Sequence, residues 1–192
     1  MIDFASLPSC AENGDVHVVV EAPRGALAKT KWSPKLGAFE LAHATMFGVV
    51  YPYDFGFIPS TKAEDGDPID AMVLFDAPTW PGVIIRSRLV GVVRLVQRKT
   101  DDAPLVRNDR LIAVPSMDQR VRDVGDLAPR VREELEEFFL TAALTTKKHA
   151  RIEGWAGPDA AHEALDRAAR AFAQAKKSRS SASSSRTSAS PK

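Results

Sequence analysis

The chain has 192 residues and a formal net charge of +1, from 26 Lys and Arg against 25 Asp and Glu. A single cysteine, Cys10, excludes an internal disulfide framework and a CxxC metal site, and no apolar run approaches the ~20 residues of a membrane helix. The near-neutral sum hides an asymmetry: residues 176–192 carry five basic residues and no acid, which leaves 1–175 with 21 basic against 25 acidic residues, unlike a nucleic-acid-binding surface.

Residues 1–15, MIDFASLPSCAENGD, read as a loose lead-in. They show no basic start followed by an apolar stretch, so no secretory signal is expected and the setting is read as cytoplasmic. From Val16 the texture is that of strands: HVVVEAP, FGVVYPYDFGFIP, DAMVLF, GVIIRSRLVGVVRLV and RLIAVP are rich in Val, Ile and Phe and are punctuated by Gly and Pro. Arg86, Arg88, Arg94 and Arg98 interrupt the longest run, which gives it one polar face. After Pro115 the pattern turns helical. Pro129 suits a first helical turn with Asp126 nearby as its cap, and Val131, Leu135, Phe138, Phe139 and Ala142 recur at helical spacing. A second helix starts near Pro158, with Ala161, Leu165, Ala168, Phe172 and Ala175 as its stripe. Residues 176–192 contain eight serines and no large apolar side chain, and are expected to be disordered. A run of strands followed by helices is the order of an α+β fold, with one domain over 16–175.

The strongest chemical feature is the run Glu64-Asp65-Gly66-Asp67-Pro68-Ile69-Asp70, which leads straight into the apolar strand AMVLF. Gly66 and Pro68 stiffen the turn and hold carboxylates together. Convergent carboxylates call for a cation, and hard oxygen ligands suit Mg²⁺ or Mn²⁺. The run lacks the order of an EF-hand loop. Upstream, Glu21 ends a strand and is followed by Lys29, Lys31, Tyr51, Tyr53 and Asp54. Lysines beside a metal–carboxylate site point to an anionic substrate, usually phosphate. No Ser-His-Asp, Cys-His, P-loop or GxGxxG pattern is present. Trp32, Trp80 and Trp155 are read as packing residues.

Taken together, VVVEAPRG (18–25), Lys29, YPYDFGFIP (51–59), DGDPIDAMVL (65–74), PGVIIRSRLVGVV (81–93), RLIAVP (110–115), the Phe138–Phe139 pair and IEGW (152–155) resemble the family I soluble inorganic pyrophosphatases, over about residues 16–172. The resemblance implies an OB-like five-stranded β-barrel flanked by two helices. It also implies hydrolysis of pyrophosphate to two phosphates by Mg²⁺-activated water, and a homo-oligomer, usually a hexamer. Carried over by position, it implies that Asp65 and Asp70 are metal ligands and that Asp67 is the general base for the attacking water. Glu21, Lys29 and Tyr51 fall on substrate-site positions.

Other positions depart from the family pattern. Lys31 stands where the family has an acid, His43 where it has a phosphate-binding arginine, and Phe55 where it has a second tyrosine. Ala142 and Ala143 fall near an expected Tyr-Lys pair, and Lys147 and Lys148 have no assigned role. Arg110 takes a lysine position with a different donor geometry. Two further aspartate ligands are expected in the long segment LVQRKTDDAPLVRNDR. The first aligns with Gln97 or Asp101, and the local Thr-Asp context favours Asp101. The second aligns with Asn108, with Asp109 one residue on, a step that turns a strand side chain to the other face unless a bulge intervenes. These losses predict weakened or altered hydrolysis. The alternative is a relative that keeps the fold and, without turnover, binds phosphate or metal or acts as a regulatory subunit. Nucleic-acid contact through the basic tail is not expected, because the body is acidic.

Overall fold

Valine-rich runs that alternate or continue as apolar stretches set the central sheet. In the computed structural model, which describes residues 3–186 and their side chains as far as 178, nine strands and two helices follow one another. The strands are β1 (Val16–Ala22), β2 (Ala28–Ser33), β3 (Ala38–Ala44), β4 (Asp54–Phe57), β5 (Asp70–Val73), β6 (Ile84–Arg98), β7 (Val106–Arg107), β8 (Arg110–Pro115) and β9 (His149–Ala156). The helices are α1 (Pro129–Thr145) and α2 (Pro158–Arg186).

Five strands pair in a closed circuit. β1 lies antiparallel to β4, β4 antiparallel to β5, β5 parallel to β8, β8 antiparallel to β6, and β6 returns antiparallel to β1. This is the expected α+β, OB-like arrangement. β6 is long enough to serve four neighbours because it also pairs with β7 and β9, and register shifts near Leu89–Gly91 and Arg94–Leu95 let it bend round the circuit. Gly56 in β4 sits against the Val19 carbonyl of β1, where any Cβ would collide with backbone. α1 closes one side through Leu135, Phe138 and Phe139, which pack on Tyr51, Phe55, Leu95 and Ile112. α2 lays Ala161, Ala164, Leu165 and Ala168 against Val16, Ile58, Leu89 and Leu111. Their small side chains let the helix approach the sheet closely.

The structure departs from the sequence reading in four places. The lead-in is docked: Phe4 meets Trp32 and Phe39 edge to face, the Trp32 indole donates to Asp3, and Ser60 donates to the Leu7 carbonyl. Its aromatic and Leu residues find an apolar seat that composition could not show. α1 is not capped by Asp126; its N-cap is Ala128, and Asp126 instead completes a capping box with Asp123 around a short 3-10 turn. α2 continues through residues 176–186, where disorder was expected, since no Gly or Pro interrupts that stretch; residues 187–192 of the expected tail lie outside the described residues. Trp80 is largely exposed, whereas Trp32 is buried and Trp155 donates to Glu136.

Candidate active site

One end of the strand circuit opens into a cleft of about 340 Å³, within the size range of small-molecule sites. Its walls come from β1–β4, the 63–70 turn, the ends of β6 and β8, and α1 with the segment after it. The turn is built as the sequence suggested. Gly66 adopts φ +95°, Ala63 N–H donates to the Asp67 carbonyl, and Asp67 N–H donates to Asp65 Oδ1 at 3.2 Å. Thr61 clamps the exit by accepting from Ile69 N–H while donating to the Ile58 carbonyl. Asp65, Asp67 and Asp70 therefore all face the cleft.

Strand register brings cations to these carboxylates. β5 and β8 run parallel with Asp70 beside Arg110, and the Arg110 guanidinium meets Asp70 Oδ2 at 2.5 Å. From the β2–β3 hairpin, Lys29 Nζ lies 2.9 Å from Glu21 Oε2 and 3.9 Å from Asp70 Oδ1, and 4.9 Å from the centre of the Phe55 ring. Two residues on, Lys31 Nζ binds Asp67 Oδ1 at 3.0 Å. Asp65 is the cleft carboxylate that forms no ion pair among the described residues. Lys148 likewise lines the cleft with no carboxylate partner.

The electrostatics follow from this packing. Glu21 is buried, and loss of hydration raises its carboxyl above the usual range despite the Lys29 charge. Burial alone would depress Lys29, but Asp70 and Glu21 more than offset it, so its ammonium is held more firmly than usual. Loss of hydration, then the Asp70 charge, raises Asp65. Tyr51 is pushed up to about 12 by burial, so its phenol stays protonated and can only donate or accept neutrally.

Of the residues expected at the site, Glu21, Lys29, His43, Tyr51, Asp65, Asp67, Asp70 and Arg110 all line the cleft. Asp101 and Asp109 do not. Asp101 is exposed beyond the end of β6 and pairs with Arg98. Asp109, buried between β7 and β8, turns away from the cleft, where it accepts from Leu95 N–H and pairs with Arg107 at 2.9 Å. Gln97 and Asn108 occupy the cleft instead, both buried. β6 runs unbroken to Arg98, so the extra residues fall after Gln97, and the single step from Asn108 to Asp109 reverses the side chain. Asn108 accepts from Arg110 at 2.5 Å. Asp54 is structural: it is fully buried and accepts from Arg24 N–H and Thr79 Oγ1 away from the cleft.

Lys148 is the cleft residue that the sequence left without a role. Lys147 takes φ +56° as α1 ends, and Lys148 N–H returns to the Ala143 carbonyl, which folds Lys148 back over the opening. Pattern reading carries no signal for that reversal. Beside it, Phe138, Phe139, Ala142 and Ala143 form an apolar wall.

The cleft thus contains four carboxylates (Glu21, Asp65, Asp67, Asp70) and four basic side chains (Lys29, Lys31, Arg110, Lys148). Among the described residues no group of three or more His, Cys, Asp or Glu side chains forms a metal centre. Mg²⁺ does not need one, because it commonly rests on one or two carboxylates and completes its shell with water and substrate phosphate. Asp65 beside Asp70 meets that demand for one ion; Gln97 and Asn108 offer only neutral amide oxygens for more.

Comparison with known proteins agrees with this geometry. The family model for inorganic pyrophosphatase matches residues 18–173. The inorganic pyrophosphatase of Thermus thermophilus is 41% identical over 170 residues, covering 85% of this chain and 94% of its own. That of Nostoc sp. is 33% identical over 174 residues, covering 89% and 99%. A crystal structure of the Thermus thermophilus inorganic pyrophosphatase superimposes with a TM-score of 0.80 and 33% identity, over 89% of this chain and 99% of that one.

Proposed function

Because the chain belongs to the inorganic pyrophosphatase family, we propose that this cleft binds pyrophosphate and that the carboxylates of the 65–70 turn serve its hydrolysis. The reaction is that of a hydrolase acting on a phosphoric anhydride. A water oxygen bonds to one phosphorus, the bridging P–O bond breaks with its electron pair on the departing phosphate, and the water's protons end on the two products. The observation that carries the reading is the convergence of Asp65, Asp67 and Asp70 with Lys29 and Arg110 in one cleft.

In this proposal Asp67 takes the proton of the attacking water. Its Oδ1 is fixed by Lys31, which orients the carboxylate. Lys29, Arg110, Lys148 and His43 hold phosphate oxygens, and Tyr51, kept protonated, donates to them. Removing one such charge-stabilising group typically lowers turnover about 10²–10³-fold, and Phe55 and Ala142 supply none. The family is metal-dependent, and we assign Mg²⁺, with Mn²⁺ as a substitute, to Asp65 and Asp70. Such an ion, when bound, polarises phosphoryl oxygen and acidifies coordinated water. A homo-oligomer, expected to be a hexamer, and a cytoplasmic setting belong to the same proposal. The exposed Leu41, Met46 and Phe47 are apolar surface for a partner copy to cover.

The test is phosphate release from pyrophosphate by the purified chain with Mg²⁺ or Mn²⁺. Release with either metal is the expected result. A folded protein that binds pyrophosphate without releasing phosphate would replace this reading with that of a binding relative.

A further inference from the structure

The carboxylates of the cleft already have cations, and those cations belong to the chain. Both oxygens of Asp70 are engaged, Oδ1 by Lys29 and Oδ2 by Arg110. Asp67 is engaged by Lys31, and Glu21 by Lys29. At three places where the family resemblance implies carboxylates, the cleft presents Lys31, Gln97 and Asn108. Three negative charges are thus absent and one positive charge is added. Buried Asn108 is further committed, since its Oδ1 accepts from Arg110. A divalent ion approaching Asp67 would meet the Lys31 ammonium, and one approaching Gln97 and Asn108 would find no charge to hold it. Neutral amides bind hard divalent cations far less well than carboxylates do. Among the described residues, Asp65 is the cleft carboxylate left without an ion-pair partner.

We propose that Lys31 is a built-in counter-ion in place of a divalent ion, so that the cleft holds one resident divalent cation, on Asp65 beside Asp70, rather than the several the family resemblance implies. The inference rests on the pyrophosphatase reading for the identity of the site, but it concerns metal number. Lys31 is the discriminating residue, because its side chain is half exposed and its ion-pair partner among the described residues is Asp67. Replacing it should alter metal binding without disturbing the core.

The experiment titrates Mn²⁺ into metal-stripped full-length protein and follows free Mn²⁺ by electron paramagnetic resonance, without substrate. Wild type is expected to bind one ion, with any further ion at least about tenfold weaker, a gap of 1.4 kcal/mol. Lys31→Glu is expected to tighten a second ion at least tenfold, and Gln97→Asp combined with Asn108→Asp to do so again. Lys31→Met, which removes the charge without adding a ligand, should tighten it less than Lys31→Glu. Circular dichroism of each variant establishes that it is folded, and the wild-type stoichiometry stands whatever the variants do. Two or more ions of similar affinity in wild type would overturn the proposal, as would a folded Lys31→Glu with unchanged Mn²⁺ binding. Neither result touches the function reading, which phosphate release decides separately. A protein that releases phosphate and binds several ions sinks only this inference.

Discussion

Replacing Lys29 with Met tests the electrostatic core of the site. Methionine retains most of the apolar stem and removes the ammonium, so Glu21, with only 5% of its surface exposed, loses the cation 2.9 Å away. Breaking a buried pair from one side costs about 3–5 kcal/mol. Protonation sets a ceiling on that loss. From an ordinary value of 4.5, neutralising a glutamate at pH 7 costs about 1.36 kcal/mol for each of 2.5 pH units, or ~3.4 kcal/mol. At pH 5 the same route costs only ~0.7 kcal/mol. A carboxyl raised in the folded state makes that state bind more protons than the unfolded chain, so stability falls as pH rises above 4.5. The variant, with Glu21 raised further than in wild type, must show the steeper fall. The lost contact over Phe55 adds ~0.5–1 kcal/mol at either pH. Urea denaturation of both proteins at pH 5 and pH 7 measures the difference. With a slope of about 2.5 kcal/mol/M, the charge term lowers the midpoint by at most about 1.4 M at pH 7 and at most about 0.3 M at pH 5. An equal loss at the two pH values would mean that packing, not the Glu21 charge, sets the cost, and would refute the reasoning.

Three further outcomes follow from the same geometry. Lys148→Ala should raise KM for pyrophosphate about tenfold, the equivalent of ~1.4 kcal/mol, with little change in melting temperature, because the Lys148 side chain has no carboxylate partner among the described residues; steady-state kinetics and calorimetry check it. Asp65→Asn should weaken Mn²⁺ binding while raising the melting temperature in metal-free buffer near neutral pH, since it removes a carboxylate that the cleft destabilises. Because that carboxyl is raised, wild-type metal affinity should begin to fall at a higher pH than an ordinary aspartate would allow. Gly56→Ala should destabilise the fold by more than about 3 kcal/mol, as the new Cβ meets the Val19 backbone and cannot be accommodated by a rotamer change; denaturant titration reads it.

The parts of the molecule visible in sequence were those whose signal is local. Val16–Ala22 and Arg110–Pro115 are buried apolar strands and read as such, and Gly66 and Pro68 announce the turn that gathers Asp65, Asp67 and Asp70. The β2–β3 hairpin is not legible because nearly all of its residues are exposed or half-buried, so AKTKWS and AFELAHA show no clean alternation. HARIEGWA in β9 is similarly half-exposed and mixed. That Gln97 and Asn108 line the cleft rather than Asp101 and Asp109 turns on where the extra residues enter relative to β6. That is a matter of strand length and pairing, and the local Thr-Asp context was no guide to it. The pairing of Asp70 with Arg110 depends on a parallel register between strands forty residues apart in sequence, which no short motif encodes. Lys148 depends on one left-handed residue at the end of a helix.

The most direct test of the whole account is phosphate release from pyrophosphate in Mg²⁺ by wild type, Asp67→Asn and Asp101→Asn side by side. Asp67 lines the cleft, whereas Asp101 is exposed outside it and pairs with Arg98. The account predicts turnover in wild type, a loss of at least about 10²-fold in Asp67→Asn, and wild-type rates in Asp101→Asn. Loss of turnover in Asp101→Asn with Asp67→Asn unaffected would place the chemistry outside this cleft and contradict it.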